Sequence, residues 1–130
     1  MKNNQFRAEN FLKSQGYARQ GLRLIFKNER NFRIDICVAI VVIVFGFIFR
    51  ISHQDWIALS LVISMVFISE SINSAIEALC DTVSLDYKVN IKYAKDVSAG
   101  AVLVSALVSI ITGILVFIPY IFYFVKNLLA

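Results

Sequence analysis

Three acidic residues and an asparagine lie in a stretch of the chain that is otherwise apolar. Counted from Glu70, polar side chains follow at i+3, i+4, i+7 and i+11: Asn73, Ser74, Glu77 and Asp81. This spacing places them on one face of a helix. Because residues 56–69 carry no charge, the stripe is not typical of a solvated helix in a soluble protein. Ionisable groups at membrane depth are usually functional.

Charged residues elsewhere in the chain are expected at the same level. Glu29 precedes the first apolar run, and Lys95 and Asp96 precede the last one. Carboxylates that lie close together repel one another unless a cation joins them, and a site with oxygen ligands alone suits a hard ion such as Mg²⁺. Mg²⁺ with a lysine and a carboxylate base is typical of phosphoryl transfer. The chain has neither a Walker A motif nor a GxGxxG loop, so use of ATP would need another kind of nucleotide site.

The composition is that of a membrane protein. Of the 130 residues, 58% are hydrophobic, and the mean hydropathy is +0.71, which is high for a soluble domain. A single proline and five glycines leave little turn chemistry for a β-barrel. We therefore predict an all-α integral membrane protein that forms one domain over residues 1–130.

Basic residues are concentrated near the N-terminus. Residues 1–33 hold eight of the thirteen lysines and arginines but only two acidic residues. Apolar residues recur among them at helical intervals, which predicts an amphipathic helix over about residues 6–28 on an anionic membrane surface. No nucleic-acid-binding motif accompanies this segment, so its expected partner is a membrane and not a nucleic acid.

Three apolar segments are predicted to cross the membrane, at about residues 32–51, 56–80 and 95–125. Trp56 begins the second one, in the position of an interfacial aromatic residue. At about 1.5 Å per residue, Glu70 lies roughly 21 Å and Glu77 roughly 31 Å from Trp56, against a hydrocarbon core of about 30 Å. Glu77 is therefore expected at the far interface and Glu70 about 10 Å inside it. The positive-inside rule makes that face, with the basic N-terminal helix, cytoplasmic.

Small residues recur every seven positions along the third segment. One row consists of Ala99, Ala106 and Gly113, and beside it run Ser98, Ser105 and Thr112. Such rows allow helices to approach closely in lipid. We expect this segment to pack tightly against another helix.

Three short motifs carry a family resemblance. They are NERNF at residues 28–32, ExxNSAIExxxD at residues 70–81 and AKDxxAGAV at residues 94–102. In this order and spacing they resemble the small prokaryotic membrane diacylglycerol kinase family, which includes the undecaprenol kinases, and the resemblance covers about residues 11–119. It implies a homotrimer of three-span protomers in a bacterial cell membrane. Each protomer would have a surface helix, and neighbouring subunits would share active sites that use ATP and a lipid alcohol.

The resemblance also implies roles for individual residues. Glu70 resembles the catalytic base, and Glu29 and Glu77 resemble the carboxylates that hold Mg²⁺. Residues that match supporting or substrate-contacting positions are Asn10, Asn73 and Asp81. Residues that match ATP-contacting positions are Tyr17, Glu29, Glu77, Asp86, Tyr87, Lys88, Lys95 and Asp96. This chain has Asn10 where the diacylglycerol kinases carry an arginine, with Arg7 one turn earlier.

These roles combine into a hypothesis about the reaction. Glu70 takes the proton from a lipid hydroxyl as that hydroxyl attacks the γ-phosphate of ATP. Glu29 and Glu77 hold Mg²⁺ against the phosphates, while Lys95, oriented by Asp96, neutralises charge. The NERNF and AGAV runs resemble the undecaprenol branch, whereas Gly16-Tyr17 and Asp86-Tyr87 are also similar to the diacylglycerol branch.

Two other interpretations of the acidic stripe stay open. It could line the path of a small ion channel or transporter, or it could hold an oligomer interface by buried hydrogen bonds. A channel does not account for the gathering of the other charges at one face. ATP-dependent lipid phosphorylation separates these possibilities, because a channel would show none.

Overall fold

The computed structural model describes residues 11–83 and 89–129, and nearly all of them are helical. The four helices are α1 (Phe11–Asn28), α2 (Arg30–Phe49), α3 (His53–Val83) and α4 (Val89–Leu129). Helices α2, α3 and α4 are each long and apolar enough to cross a membrane. The prediction of an all-helical chain with three long apolar segments is thus confirmed. Helices α3 and α4 extend beyond the predicted segments at both ends, because polar flanking residues continue the helical hydrogen bonds.

A single residue, Glu29, separates α1 from α2. Its backbone is extended, with φ −93° and ψ 117°, and its N–H donates to the carbonyl of Ile25 at 2.8 Å. The guanidinium of Arg33 donates to the carbonyls of Phe26 at 3.1 Å and Lys27 at 2.9 Å. Because the last carbonyls of a helix lack partners within that helix, this cation stabilises the end of α1. The joint therefore holds Glu29 between two fixed helix ends.

One face of α2 packs against the other two long helices. Its buried members recur every seven residues: Phe32, Ala39 and Gly46. Half-buried members of the same face follow each of them by three residues: Asp35, Val42 and Phe49. The ring of Phe32 lies 5.4 Å from the ring of Phe67 on α3. At the other end, the ring of Phe49 lies 6.1 Å from the ring of Phe117 on α4.

Helix α4 packs along α3 through small side chains. Ser98 and Ser105 are buried, and the hydroxyl of Ser105 lies 2.7 Å from that of Ser69 on α3. The two rows of small residues therefore do not contribute equally, because Ala99 is exposed while Ser98 beside it is buried. Close approach of the two helices is what brings the polar residues of α3 and α4 into contact.

The connection between α2 and α3 is hydrogen-bonded to α4. The N–H of Ser52 donates to the hydroxyl of Tyr120 at 3.0 Å, and that hydroxyl donates to Asp55 at 2.7 Å. Ile51, Leu59 and Val116 pack beside this polar cluster. The three long helices are therefore tied together at the end remote from Glu29.

Replacing Gly46 by alanine is expected to lower thermal stability. A Cβ at this position would lie 2.6 Å from Cη2 of Trp56, so the indole would have to leave its contact with Phe47, whose ring centroid is 5.0 Å away. Overpacking of this kind costs about 1–3 kcal/mol. The measurement is thermal unfolding in detergent, with Gly16→Ala as the control, because nothing lies within 4 Å of a Cβ there. Equal stability of Gly46→Ala and the unsubstituted protein would contradict the close packing.

Candidate functional site

Glu70 is the one charged side chain that is buried within residues 13–83 and 89–129, with 3% of its surface exposed. It lies on α3 close to Phe67, whose ring packs on Phe32 of α2. Asn31, Glu29 and Glu77 are near enough to act on its carboxylate electrostatically. The fold therefore brings together the three glutamates that the sequence singles out.

A fourth carboxylate, Asp35, also acts electrostatically on Glu70, and sequence reasoning gave it no role. Asp35 stands directly before the uncharged core of the first apolar segment, and in the sequence it continues the polar residues around Glu29. Its position, three residues after Phe32 and four before Ala39, places it on the face of α2 that packs inward. The spacing is informative only once Phe32 and Ala39 are known to be buried, so the sequence alone carried no signal for Asp35.

Glu77 is held by a short relay of hydrogen bonds. Nδ2 of Asn73, one turn earlier on α3, donates to Oε1 of Glu77 at 3.2 Å. Oδ1 of Asn73 accepts from the hydroxyl of Ser98 on α4 at 2.7 Å. Asn73 thus connects Glu77 to Ser98, a residue that the sequence marked only for packing.

Lys95 forms an ion pair with Asp81. Its Nζ lies 2.6 Å from Oδ1 of Asp81, and the two side chains are 36% and 55% exposed. Because the pair is accessible to water, it contributes little to stability, and its main effect is to place the Lys95 ammonium beside the acidic stripe. The expected partner of Lys95 was Asp96, which is exposed; the carboxylate in contact is Asp81.

The structure gives fewer contacts for the remaining predicted residues. Tyr17 is on α1 and is 65% exposed. Four of the predicted residues lie outside the described part of the chain: Asn10, Asp86, Tyr87 and Lys88.

An apolar groove lies between α2, α3 and α4, with a volume of about 340 Å³. Its walls are mainly valine, isoleucine and alanine side chains, and Asp35 is its one charged residue. Phe67 also lines it, less than one helical turn before Glu70. A hydrocarbon chain fits the chemistry of this groove, because its lining offers burial and few polar partners.

The carboxylates suit a magnesium ion that arrives with a nucleotide. Within residues 11–83 and 89–129 there is no cluster of three or more metal-ligating side chains arranged to enclose an ion. Mg²⁺ rarely needs such a cage, since it is usually held by one or two carboxylates together with water and substrate phosphates. Two carboxylates, such as those of Glu29 and Glu77, would match that number.

Comparison with known proteins gives consistent results. The family model described as prokaryotic diacylglycerol kinase matches residues 16–117. An undecaprenol kinase of Bacillus subtilis is 37% identical over 109 residues, which cover 84% of this chain and 89% of that protein. A diacylglycerol kinase of Escherichia coli K12 is 31% identical over 112 residues, which cover 86% of this chain and 92% of the relative. A diacylglycerol kinase of Synechocystis is 35% identical over 113 residues, which cover 86% of this chain and 65% of the Synechocystis protein.

Proposed function

The chain belongs to the prokaryotic diacylglycerol kinase family, and on this premise we propose that it is a membrane lipid kinase. It transfers the γ-phosphate of ATP to a lipid primary hydroxyl, and undecaprenol is the favoured acceptor. The observation that carries the proposal is the burial of Glu70, at 3% exposure, beside the two less buried glutamates Glu29 and Glu77. One carboxylate is thus set apart for contact with the lipid, and two are accessible to a nucleotide.

Glu70 is the general base. Its carboxylate accepts the proton of the lipid hydroxyl while the hydroxyl oxygen forms a bond to the γ-phosphorus, and the bond from that phosphorus to the bridging oxygen of ADP breaks. The proton stays on Glu70 until it is released to water. Asn31, which lies near the Glu70 carboxylate, helps to orient the base.

Glu29 and Glu77 hold Mg²⁺ with the phosphates of ATP. When bound, the ion neutralises the charge on the β- and γ-phosphates and aligns them with the acceptor. Asn73 fixes the Glu77 carboxylate, and the joint between α1 and α2 fixes Glu29. Other residues contact ATP in this proposal: Tyr17, Asp86, Tyr87, Lys88, Lys95 and Asp96.

Lys95 provides positive charge near the transferred phosphoryl group. Asp81 holds the ammonium in place. Because this ion pair is exposed to water, exchange of the carboxylate for a phosphate oxygen costs little. Asp96 and Asn10 assist at the nucleotide and at the lipid head, respectively.

The apolar groove accepts the first part of the lipid chain. It lies between the three long helices and reaches Phe67, so a chain within it brings the hydroxyl to the level of Glu70. Its aliphatic lining favours an isoprenoid or acyl chain over a polar substrate. Asp35 at the groove offers a hydrogen-bond acceptor near the lipid head.

The active unit is a homotrimer in a bacterial cell membrane, formed by one lipid kinase domain per chain. Most apolar side chains of α2, α3 and α4 are exposed in one protomer, which suits contact with lipid and with further copies. Helix α1 lies on the cytoplasmic surface. Its exposed apolar residues, such as Leu22 and Phe26, contact the bilayer while its basic residues face lipid phosphates.

The test is transfer of labelled γ-phosphate from Mg·ATP to undecaprenol and to diacylglycerol, side by side in mixed micelles. We expect faster transfer to undecaprenol, the acceptor in the name of the Bacillus subtilis relative. Preference for diacylglycerol would favour the alternative, a kinase that makes phosphatidic acid. Absence of transfer to either lipid would contradict the proposal of a lipid kinase and would favour a channel or transporter.

A further inference from the structure

A buried serine of α4 stands behind the carboxylate assigned to the metal ion. Ser98 is 6% exposed, and it contacts Asn73, which in turn contacts Glu77. We propose that Ser98 is a positioning residue that acts through Asn73 on Glu77 and thereby sets the affinity of the site for the Mg²⁺ that accompanies ATP. This inference rests on the proposed function, because it takes Glu77 as a metal ligand.

The direction of the relay follows from its two ends. An ionised carboxylate can only accept hydrogen bonds, so Asn73 must present its Nδ2 to Glu77. Its Oδ1 then faces α4, where the hydroxyl of Ser98 is the donor at 2.7 Å. The amide is held at both ends, and the two hydrogen bonds strengthen each other.

Loss of the Ser98 hydroxyl should therefore weaken the orientation of the Glu77 carboxylate. Without it, Oδ1 of the half-buried Asn73 loses its donor, and the amide is free to turn toward other partners. Its 3.2 Å contact with Glu77 is the longer of the two and has no other support in the relay. A carboxylate that has lost such an orienting partner binds its metal ion less tightly.

The effect should be confined to the metal ion. The Ser98 hydroxyl also lies 2.9 Å from the backbone carbonyl of Lys95, one turn earlier, but the Lys95 side chain has its own contact with Asp81. That ion pair does not involve the hydroxyl. Removing the hydroxyl should therefore leave the lysine and the lipid groove as they are.

Ser105 provides a matched control. It lies seven residues later on the same helix, is 5% exposed and contacts a hydroxyl of α3, that of Ser69, at 2.7 Å. Ser105→Ala removes a buried contact between the same two helices, as Ser98→Ala does, but at a point away from Glu77. The two variants should therefore lose similar stability.

The experiment uses the full-length enzyme in detergent with a non-hydrolysable ATP analogue. Binding of Mn²⁺, a spectroscopic substitute for Mg²⁺, is followed by electron paramagnetic resonance. Ser98→Ala should raise the dissociation constant of the ion about tenfold, whereas Ser105→Ala should leave it unchanged and Ser98→Thr, which keeps the hydroxyl, should restore it. In turnover, Ser98→Ala should need more free Mg²⁺ for half-maximal rate, with the KM for lipid unchanged.

Equal ion affinity in Ser98→Ala and Ser105→Ala would overturn the inference, and so would a Ser98→Thr variant as weak as Ser98→Ala. Neither result would affect the kinase itself, which stands on transfer of phosphate to lipid by the unsubstituted protein. Absence of that transfer would instead overturn the proposed function. The two failures are therefore distinguishable.

Discussion

Replacement of Glu70 by glutamine is expected to reduce phosphate transfer to lipid by about 10²–10⁴-fold, the usual contribution of a general base. Glutamine has the same size as glutamate, but its amide cannot accept the proton of the lipid hydroxyl. The KM values for ATP and lipid should change little, because the substitution removes an interaction of the transition state. The measurement is initial rate as a function of each substrate in mixed micelles.

Asp55→Asn is the matched control for this variant. It makes the same kind of change in the same helix, but Asp55 lies at the opposite end, in the cluster with Ser52 and Tyr120. Its activity should remain near that of the unsubstituted enzyme even if its unfolding temperature falls. Near-normal turnover of Glu70→Gln would show that another group is the base.

The second large effect is expected for Glu77→Gln. An amide is a poor ligand for Mg²⁺ compared with a carboxylate, and the ion supplies several kcal/mol of transition-state stabilisation. We expect a rate loss of about 100-fold or more at millimolar Mg²⁺, which corresponds to about 2.7 kcal/mol, with partial recovery as Mg²⁺ is increased. Rates are measured over a range of free Mg²⁺ at fixed ATP.

Glu70→Gln is the comparison that separates the two roles. Its loss of rate should be independent of Mg²⁺, since the base does not hold the ion. If Glu77→Gln had a normal Mg²⁺ requirement, Glu77 would not be a ligand of the metal ion. The same series repeated with Glu29→Gln tests the other proposed ligand.

The acidic stripe could be predicted from the sequence because it depends on one helix alone. Glu70 and Glu77 are seven residues apart, and any regular helix places them on one face. Their different depths in the membrane stay a prediction, which rests on the rise of the helix and the distance to Trp56. Contacts between helices cannot be predicted in this way, because they depend on how each helix is rotated about its own axis.

Asp35 and Ser98 illustrate this difference. Asp35 belongs to the inward face of α2 only because Phe32, Ala39 and Gly46 are buried there, and no rule local to α2 says which of its apolar faces turns inward. Ser98 lay in a row of small residues that indicated close packing, which is correct. Its hydrogen bond to Asn73 depends on the axial register of α4 against α3, which the sequence of either helix does not contain.

The pairing of Lys95 was also beyond sequence reasoning. Asp96 is its neighbour in the chain, but successive residues of a helix point about 100° apart. Asp81, fourteen positions earlier, becomes the contact because α3 and α4 run side by side. Neighbours in sequence are thus a poor guide to ion pairs on long helices.

The single-residue joint at Glu29 has a consequence for how the chain can change over evolution. Both neighbours of Glu29 are helical, and Arg33 ties the two helix ends together. An inserted or deleted residue would turn one helix by about 100° relative to the other and swing Glu29 away from Glu70. Insertions are tolerated where a loop can absorb them, and this joint has no spare residue to do so. Its length is therefore fixed by the geometry of the two helices.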